Sequence, residues 1–340
     1  MTVAFSGDPA ASWSILLEAN LREAPDPAEV TARMSRACSE FPNLGPPAVV
    51  LRPSDWDGAR AGFADGHYRE GDPLVRVALT DDSLMIAAHH GAVDGLGLLA
   101  LLGIALGDPV HSSATGVALR SPDRPYLLSA LDRVREAVWT PPTRIQPSLR
   151  GNDSGDHLVS RVLPAVKLGS ARLTSAALDA TRRWNAARGA GHGRVVAAIG
   201  ASWRGGADPR PEADSALLRL SLPAGATEDD VRVLLAAAAP EAGFPSAQNP
   251  LAQWGMRVLA SRLGSTFLVS NLGVVKANVS AVRFFPAASG RSGVAFGVVT
   301  TGEVTTATVR VRRKDFDATA AAGLLDLLCD AVVTGHEARR

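Results

Sequence analysis

Apolar and polar residues alternate with strand-like and helix-like periods along the first third of the chain. Short apolar segments bounded by turn-forming residues predict strands over residues 12–21, 47–52, 73–79 and 83–88. Asp26 and Pro27 predict the start of a helix that continues to about Ser39, because aspartate caps free N–H groups and proline suits a first helical turn. Apolar periodicity predicts further helices over about 96–106 and near 126–139.

The second half also mixes strand-like and helix-like spacings of apolar residues, and it follows a segment in which apolar residues show no regular spacing. Residues 140–156 are rich in proline, glycine and polar side chains, and this composition predicts a linker. Strands are predicted beyond it over 157–163, 216–222, 266–270, 279–285, 293–300 and 304–312, the last two joined across Gly302. Helices are predicted over 174–187, 227–238, 250–263 and 319–333, and the apolar segment 195–203 fits either a strand or a helix.

This order of elements favours an α/β fold with mixed sheets. Strands and helices are interleaved in both halves, yet several strands are joined by tight turns, which a purely parallel sheet does not allow. A chain of 340 residues is long enough for two domains at roughly 150 residues each. We therefore predict two α/β lobes, an N-terminal lobe over 1–145 and a C-terminal lobe over 146–340.

Composition excludes several classes of function. The 35 basic and 34 acidic residues leave a net charge of +1, which argues against a dedicated nucleic-acid binder. The two cysteines, Cys38 and Cys329, are too few for a disulfide framework and lack the spacing of a structural zinc site, so a reducing compartment is expected. The sequence has neither a signal-peptide pattern at its start nor an uncharged run of roughly 18 residues, so we expect a soluble cytoplasmic protein with no membrane partner.

One segment carries residues typical of catalysis, HHGAVDG at 89–95, directly after a predicted strand. Loops at the end of rigid strands often carry catalytic groups. Histidine exchanges a proton near neutral pH and can act as a general base toward a hydroxyl or an amine. Because neighbouring strand residues point to opposite faces, His89 and His90 cannot enter the same pocket, so one would be the base and the other would brace the turn.

Asp94 and Gly95 complete this motif. Asp94 is predicted to form an ion pair that fixes the loop, and Gly95 to allow the turn and the close packing of the helix that follows. The alternative is that the two histidines only terminate a strand in a hydrogen-bonded core. Three residue types at fixed spacing after a strand favour the catalytic interpretation.

The motif is similar to the signature HHxxxDG of the chloramphenicol acetyltransferase-like acyltransferases, a superfamily that includes peptide-synthetase condensation domains and polyketide-associated acyltransferases. Two further segments resemble the same superfamily: DPLVRV at 72–77 before the motif, and SNLG at 270–273, some 180 positions after it. The resemblance spans about residues 12–335. It implies two similar lobes arranged as a pseudo-dimer with a tunnel between them, where the acyl donor enters from one face and the acceptor from the other.

The resemblance also implies a role for each motif residue. His90 would be the general base, His89 would be structural, and Asp94 would pair with an arginine, carried onto Arg219 in the predicted strand 216–222. Gly95 would line the floor of the channel. Two residues of the second motif would shape the tunnel: Ser270 and Asn271.

The implied reaction is transfer of an acyl group from a coenzyme A or carrier-protein thioester to a hydroxyl or amine, in natural-product biosynthesis. The co-substrate would be an acyl-CoA or a phosphopantetheine-tethered acyl group, with no bound cofactor and no metal. Two alternatives stay open at this stage: a non-catalytic condensation-like module that binds a carrier protein, and a catalyst of cyclisation or rearrangement on a tethered thioester.

Some features depart from the named subgroups. The chain is shorter than typical condensation domains, and the RHExLRT-like string of those domains is replaced by SEFPNL at 39–44. The plant-type DFGWG string is missing as well. These differences favour a trimmed, free-standing member. The basic cluster at 310–314 is predicted to be a solvent-exposed edge strand, and the alternative is a surface that attracts the phosphates of coenzyme A or an acidic carrier protein.

Overall fold

A computed structural model describes most of the chain. It covers residues 12–46, 50–69, 71–117, 120, 135–136, 139–164, 166, 168–191, 193–223, 225–241, 264–302 and 304–337. The helix predicted over 250–263 lies outside these residues, and so does most of the helix predicted near 126–139.

The described residues alternate between strands and helices in both halves. The first half contains β1 (Ser14–Leu21), α1 (Pro27–Glu40), a 3-10 turn (Pro42–Leu44), β2 (Val50–Leu51), α2 (Trp56–Asp65), β3 (Val75–Leu79), β4 (Ser83–His89), α3 (Gly95–Leu106) and β5 (His111–Ser112). The second half contains β6 (Asp156–Pro164), α4 (Ser170–Ala186), β7 (Val195–Ser202), β8 (Ser215–Leu222), α5 (Glu228–Ala237), β9 (Phe267–Lys276), β10 (Val279–Phe285), β11 (Val294–Thr301), β12 (Val304–Arg312) and α6 (Ala318–Glu337).

The strands form two mixed sheets, as predicted. The first sheet has the order β10-β1-β4-β3-β2, and the second has the order β6-β12-β11-β9-β7-β8 with β5 paired to β9. β2–β3, β7–β9 and β9–β11 are parallel pairs, whereas the other pairs are antiparallel. Apolar side chains pack between the first sheet and helices α1 and α3, and between the second sheet and helices α4 and α6.

The two sheets exchange strands. β10, which follows the second-half strand β9 along the chain, pairs with β1 in the first sheet, where Leu16 lies opposite Phe285. β5 comes from the first half but pairs with β9 in the second sheet. The predicted boundary between residues 145 and 146 falls in the loop segment that precedes β6, and this boundary stays a prediction.

Local sequence signals explain where several helices begin. The Asp26 carboxylate accepts a hydrogen bond from the Ala28 N–H at 2.8 Å, which confirms the predicted N-cap of α1. Thr227 and Asp230 form a reciprocal capping box at the start of α5. The predicted start of α4 at residue 174 was wrong, because the helix begins four residues earlier, at Ser170, after the N-cap Gly169. The Thr174 hydroxyl donates to the Ser170 carbonyl inside the helix.

Two other predictions need correction. Helix α2 was not predicted, although Asp55 caps it by accepting a hydrogen bond from Gly58 at 3.0 Å. Strand β9 extends well beyond the predicted residue 270, since Gly273 adopts a positive φ of 73° and lets the strand continue through an irregularity in its pairing. No helix among the described residues combines the length and the apolar character needed to cross a bilayer.

The basic segment at 310–314 is not an exposed edge. β12 lies between β6 and β11 inside the second sheet. Arg310 is 0% exposed, and Arg312 is also buried. The prediction failed because charge along a strand indicates an edge only when the charged side chains have no buried partners, and Arg310 has several of them.

Candidate active site at the end of strand β4

The HHGAVDG segment forms a tight connection between β4 and α3. β4 ends at His89, and α3 begins at Gly95 with Asp94 as its N-cap. The backbone N–H of His90 donates to the Trp13 carbonyl at 2.8 Å, and that of Val93 donates to the His89 carbonyl at 3.1 Å. The first bond holds the turn against the residue before β1, and the second closes the turn itself, so the backbone of both histidines is fixed.

His90 is the half-buried histidine of the pair. Its ring Nδ1 lies 3.3 Å from the Val93 carbonyl oxygen in the same turn. A proton on Nδ1 is donated to that oxygen, which leaves Nε2 as the ring atom that can accept a proton from another molecule. This is the arrangement that a general base requires.

His89 is buried, at 5% exposure, and has a different environment. The Tyr68 ring packs edge-to-face against it, with 5.2 Å between ring centroids, and its Nδ1 accepts a hydrogen bond from the Gly91 N–H at 3.1 Å. Burial, together with the neighbouring His90, lowers the pKa of His89 to about 4. His89 therefore stays neutral and braces the turn from inside the first lobe.

The lowered pKa of His89 predicts a pH dependence of stability. The unfolded chain takes up a proton on this histidine below about 6.5 and the folded chain only below about 4, so folding stability is lost as the pH falls through that window. Between neutral pH and about pH 4.5, we expect the free energy of unfolding to fall by up to about 2 kcal/mol more in wild type than in His89→Gln. Urea unfolding of both proteins at the two pH values measures this difference, and equal losses would contradict the assignment.

Asp94 is buried, at 3% exposure, and each of its two carboxylate oxygens accepts two hydrogen bonds. Oδ1 accepts from the Gly97 N–H at 2.7 Å and from Arg204 Nη2 at 3.2 Å. Oδ2 accepts from the Ser202 hydroxyl and from the Asp214 N–H, each at 3.2 Å. The carboxylate thus caps α3 and joins the motif to the end of β7 and the loop that precedes β8.

The arginine that pairs with Asp94 is Arg204, and the prediction of Arg219 was wrong. Arg219 lies on β8, where its guanidinium makes two hydrogen bonds to the Glu136 carboxylate at 2.6 and 2.9 Å. Arg204 lies two residues after the end of β7, on the loop that reaches Asp94. Arg204 has no motif around it in the sequence, so only the fold shows the pairing.

Asn43 is a further residue of this site that sequence reasoning missed. Its side-chain amide donates to the Ala92 carbonyl of the motif at 3.0 Å and to the Pro211 carbonyl at 2.8 Å. The backbone N–H of Asp94 also donates to the Glu212 carbonyl in the same loop, at 3.1 Å. The motif is therefore held by the 203–214 loop of the second lobe as well as by β1.

Gly95 brings the two sequence motifs together. A Cβ atom on Gly95 would lie 2.8 Å from Leu272 Cδ2 and 3.2 Å from Phe284 Cζ, so any larger residue here would force the Leu272 and Phe284 side chains to shift. Leu272 belongs to the SNLG segment, which lies some 180 residues later in the chain. The proposed role of Gly95 in a channel floor stays a prediction.

Ser270 and Asn271 both lie within β9. Ser270 is paired with Gly200 of β7 and with Gly297 of β11. The Asn271 amide donates to the Leu168 carbonyl at 2.6 Å, and its oxygen accepts from the Gly273 N–H at 2.8 Å. Asn271 therefore stabilises the irregular part of β9, and the tunnel role of both residues stays a prediction.

Comparison with known proteins supports this fold. No model of a protein family matches the sequence, and no curated protein matches it. Solved structures do match: the starter condensation domain of rhizomide synthetase RzmA, as a variant bound to C8-CoA and Leu-SNAC, is 15% identical, with a TM-score of 0.58 over 97% of this chain and 90% of that one. This chain has the condensation-domain fold.

Two other condensation-type structures have a fold similar to that of this chain. The first condensation domain of the calcium-dependent antibiotic synthetase, bound to a substrate analogue, is 13% identical, with a TM-score of 0.57 over 94% of this chain and 92% of that one. The epimerization domain from the third module of tyrocidine synthetase B is 13% identical, with a TM-score of 0.51 over 95% of this chain and 92% of that one. The predicted α/β fold with mixed sheets is therefore confirmed, and it matches the two-lobed fold of these condensation-type domains.

Proposed function

We propose that this protein is an acyltransferase of the condensation type. It would transfer an acyl group from a coenzyme A or carrier-protein thioester to a hydroxyl or amine, in natural-product biosynthesis. The observation that carries the proposal is the geometry of His90: the ring lies in a clamped turn at the end of β4, its Nδ1 faces the Val93 carbonyl, and Nε2 is the ring atom that can accept a proton.

The reaction needs one base and a well-placed thioester. His90 Nε2 removes the proton from the acceptor hydroxyl or amine while the acceptor attacks the thioester carbonyl. The tetrahedral intermediate then collapses, the C–S bond breaks, and the departing thiolate takes the proton from the His90 imidazolium. Because a thioester is already activated, no covalent enzyme intermediate is required, which agrees with a sequence that has no GxSxG elbow.

The surrounding residues contribute through position. His89 stays neutral, so it adds no positive charge beside His90. Asp94 joins α3, β7 and the 203–214 loop, and Asn43 bonds both the motif and that loop. A base held this firmly gains rate through orientation. Similar folds with C8-CoA, Leu-SNAC or a substrate analogue bound support an acyl thioester as the donor.

A thioester panel tests the proposal. The full chain is incubated with acyl-CoA, acyl-SNAC and acyl-carrier-protein donors of different chain lengths, each with hydroxyl and amine acceptors. Thiol release and acylated product are both followed by mass spectrometry, and the donor that gives product separates coenzyme A from a carrier protein. We expect product with at least one donor class. Binding of a carrier protein without turnover of any donor would favour the non-catalytic alternative, and a product formed within one tethered thioester would favour cyclisation.

A further inference from the structure

Arg310 is a buried cation that belongs neither to the HHGAVDG motif nor to the Asp94–Arg204 ion pair. It lies in the interior strand β12 at 0% exposure, and a charged side chain is almost never buried so completely without partners. Its Nε donates to the Asp156 carboxylate at 2.6 Å. The rest of the guanidinium extends beyond the second sheet, toward the first.

The acceptors of this guanidinium in the first lobe surround Trp13. Nη1 donates to the Ser14 carbonyl at 2.5 Å, and Nη2 donates to the Ser12 hydroxyl at 2.9 Å. Nη2 also donates to the Ala64 carbonyl at 2.9 Å, which fixes the end of α2 against the same segment. Arg310 therefore binds the residue before Trp13 and the residue after it.

Trp13 has a backbone conformation that needs such support. Its φ is 55°, the one positive φ of a non-glycine residue among the described residues. Side chains other than glycine rarely adopt this conformation unless the surroundings impose it. The Ser14 N–H donates to the Ser12 hydroxyl at 3.3 Å, so the oxygen that Arg310 binds also closes the turn around Trp13.

The turn at Trp13 contacts both histidines of the motif. The Trp13 carbonyl accepts the backbone N–H of His90 at 2.8 Å, and Ser14 is paired with His89 across β1 and β4. The Ser14 hydroxyl also lies 3.3 Å from the Tyr68 hydroxyl, and Tyr68 packs against His89. A shift of the Trp13 turn would therefore move the His90 backbone and tilt its ring.

We propose that Arg310 is a positioning residue for His90, acting across the lobe boundary through the left-handed turn at Trp13. This inference rests on the proposed function for its catalytic consequence, because it assumes that His90 is the base. Its structural part, that Arg310 fixes the backbone of His90, does not depend on any reaction.

The planar fork of arginine explains why this residue type is required. Four hydrogen bonds diverge from one guanidinium to a carboxylate, two carbonyls and a hydroxyl. Lysine keeps the positive charge but presents it as a single ammonium group, which cannot reach Asp156 and the Trp13 turn together. Arg310→Lys thus retains a partner for the buried Asp156 while it weakens the contact to the turn.

The test combines amide hydrogen exchange with kinetics. In Arg310→Lys we expect the His90 amide to exchange at least about tenfold faster than in wild type, while amides in the centre of β9 change much less. We expect kcat for acyl transfer to fall by about 10-fold or more, with KM for the acyl donor changed less than about twofold. Arg144→Lys, which weakens the Arg144–Asp315 ion pair, serves as the matched control and should leave both the exchange of His90 and kcat near wild type.

If Arg310 only stabilised the fold, the exchange and kinetic measurements would give other results than those expected for a positioning residue. Equal acceleration of the His90 and β9 amides, or a kcat within about twofold of wild type, would overturn the proposal. If Arg310→Lys does not fold, Ser12→Ala removes the hydroxyl that Arg310 and Ser14 share, and faster exchange confined to His90 is then the expected result. If wild type transfers no acyl group, the proposed function fails, while the exchange data still decide whether Arg310 holds the His90 backbone.

Discussion

Replacing Asp94 by alanine is expected to lower the free energy of unfolding by about 3 kcal/mol, because Arg204 loses its buried carboxylate and keeps only the more exposed Glu212. The loss is large for a single side chain, since Asp94 also caps α3 through Gly97 and accepts hydrogen bonds from Ser202 and Asp214. Urea unfolding of wild type and variant at neutral pH measures the change.

Asp26→Ala is the matched control for this prediction. Asp26 is also an N-cap aspartate, but it is exposed and its carboxylate caps only the Ala28 N–H at the start of α1. Its loss should cost about 1 kcal/mol, which isolates the capping contribution from that of the buried ion pair. A double variant Asp94→Ala/Arg204→Met should recover part of the lost stability, because it also removes the guanidinium that has lost its buried partner and keeps only the more exposed Glu212 carboxylate. Equal effects of Asp26→Ala and Asp94→Ala would contradict the account of Asp94.

Signals that act over a few residues allowed much of the fold to be predicted. Asp26 at the start of α1, Thr227 at the start of α5 and the turn at Gly302 depend on neighbours along the chain, and all three are confirmed. The strand that ends at His89 was also predicted, since β4 is a nearly continuous apolar segment and lies at the centre of its sheet. The motif residues were recognised because all of them lie within seven positions.

Contacts between distant parts of the chain could not be predicted in this way. Asp94 and Arg204 are 110 positions apart, and the Asn43 side chain meets the Pro211 carbonyl across 168 positions. Arg310 reaches Ser14 across 296 positions, so the residues beside it in the sequence predict an exposed edge and not the interior strand that the fold contains. Such pairs depend on how the two sheets lie against each other, and a single sequence contains no local pattern that reports this. Arg219 was chosen for its place on a predicted strand, but the fold directs its side chain to Glu136.

Replacing His90 by alanine is expected to reduce acyl transfer by about 10²–10⁴-fold, the contribution of a positioned general base. Folding should be preserved. The half-buried ring makes only a long hydrogen bond, 3.3 Å, to the Val93 carbonyl, and the bond that holds the turn to Trp13 comes from the His90 backbone, which alanine keeps. Asp94→Ala and His90→Ala should therefore separate stability from turnover. His67→Ala replaces an exposed histidine outside the site, and it should keep both stability and activity.

The rate of acyl transfer in wild type and His90→Ala, with the same donor and acceptor, is the most direct test of the central claim. Acylated product and released thiol should be measured in the same reaction, and unfolding by urea should confirm that both proteins are folded. The account predicts that product formation falls by at least about 100-fold in His90→Ala, while His67→Ala matches wild type. A folded His90→Ala protein that transfers the acyl group at the wild-type rate would show that His90 is not the base.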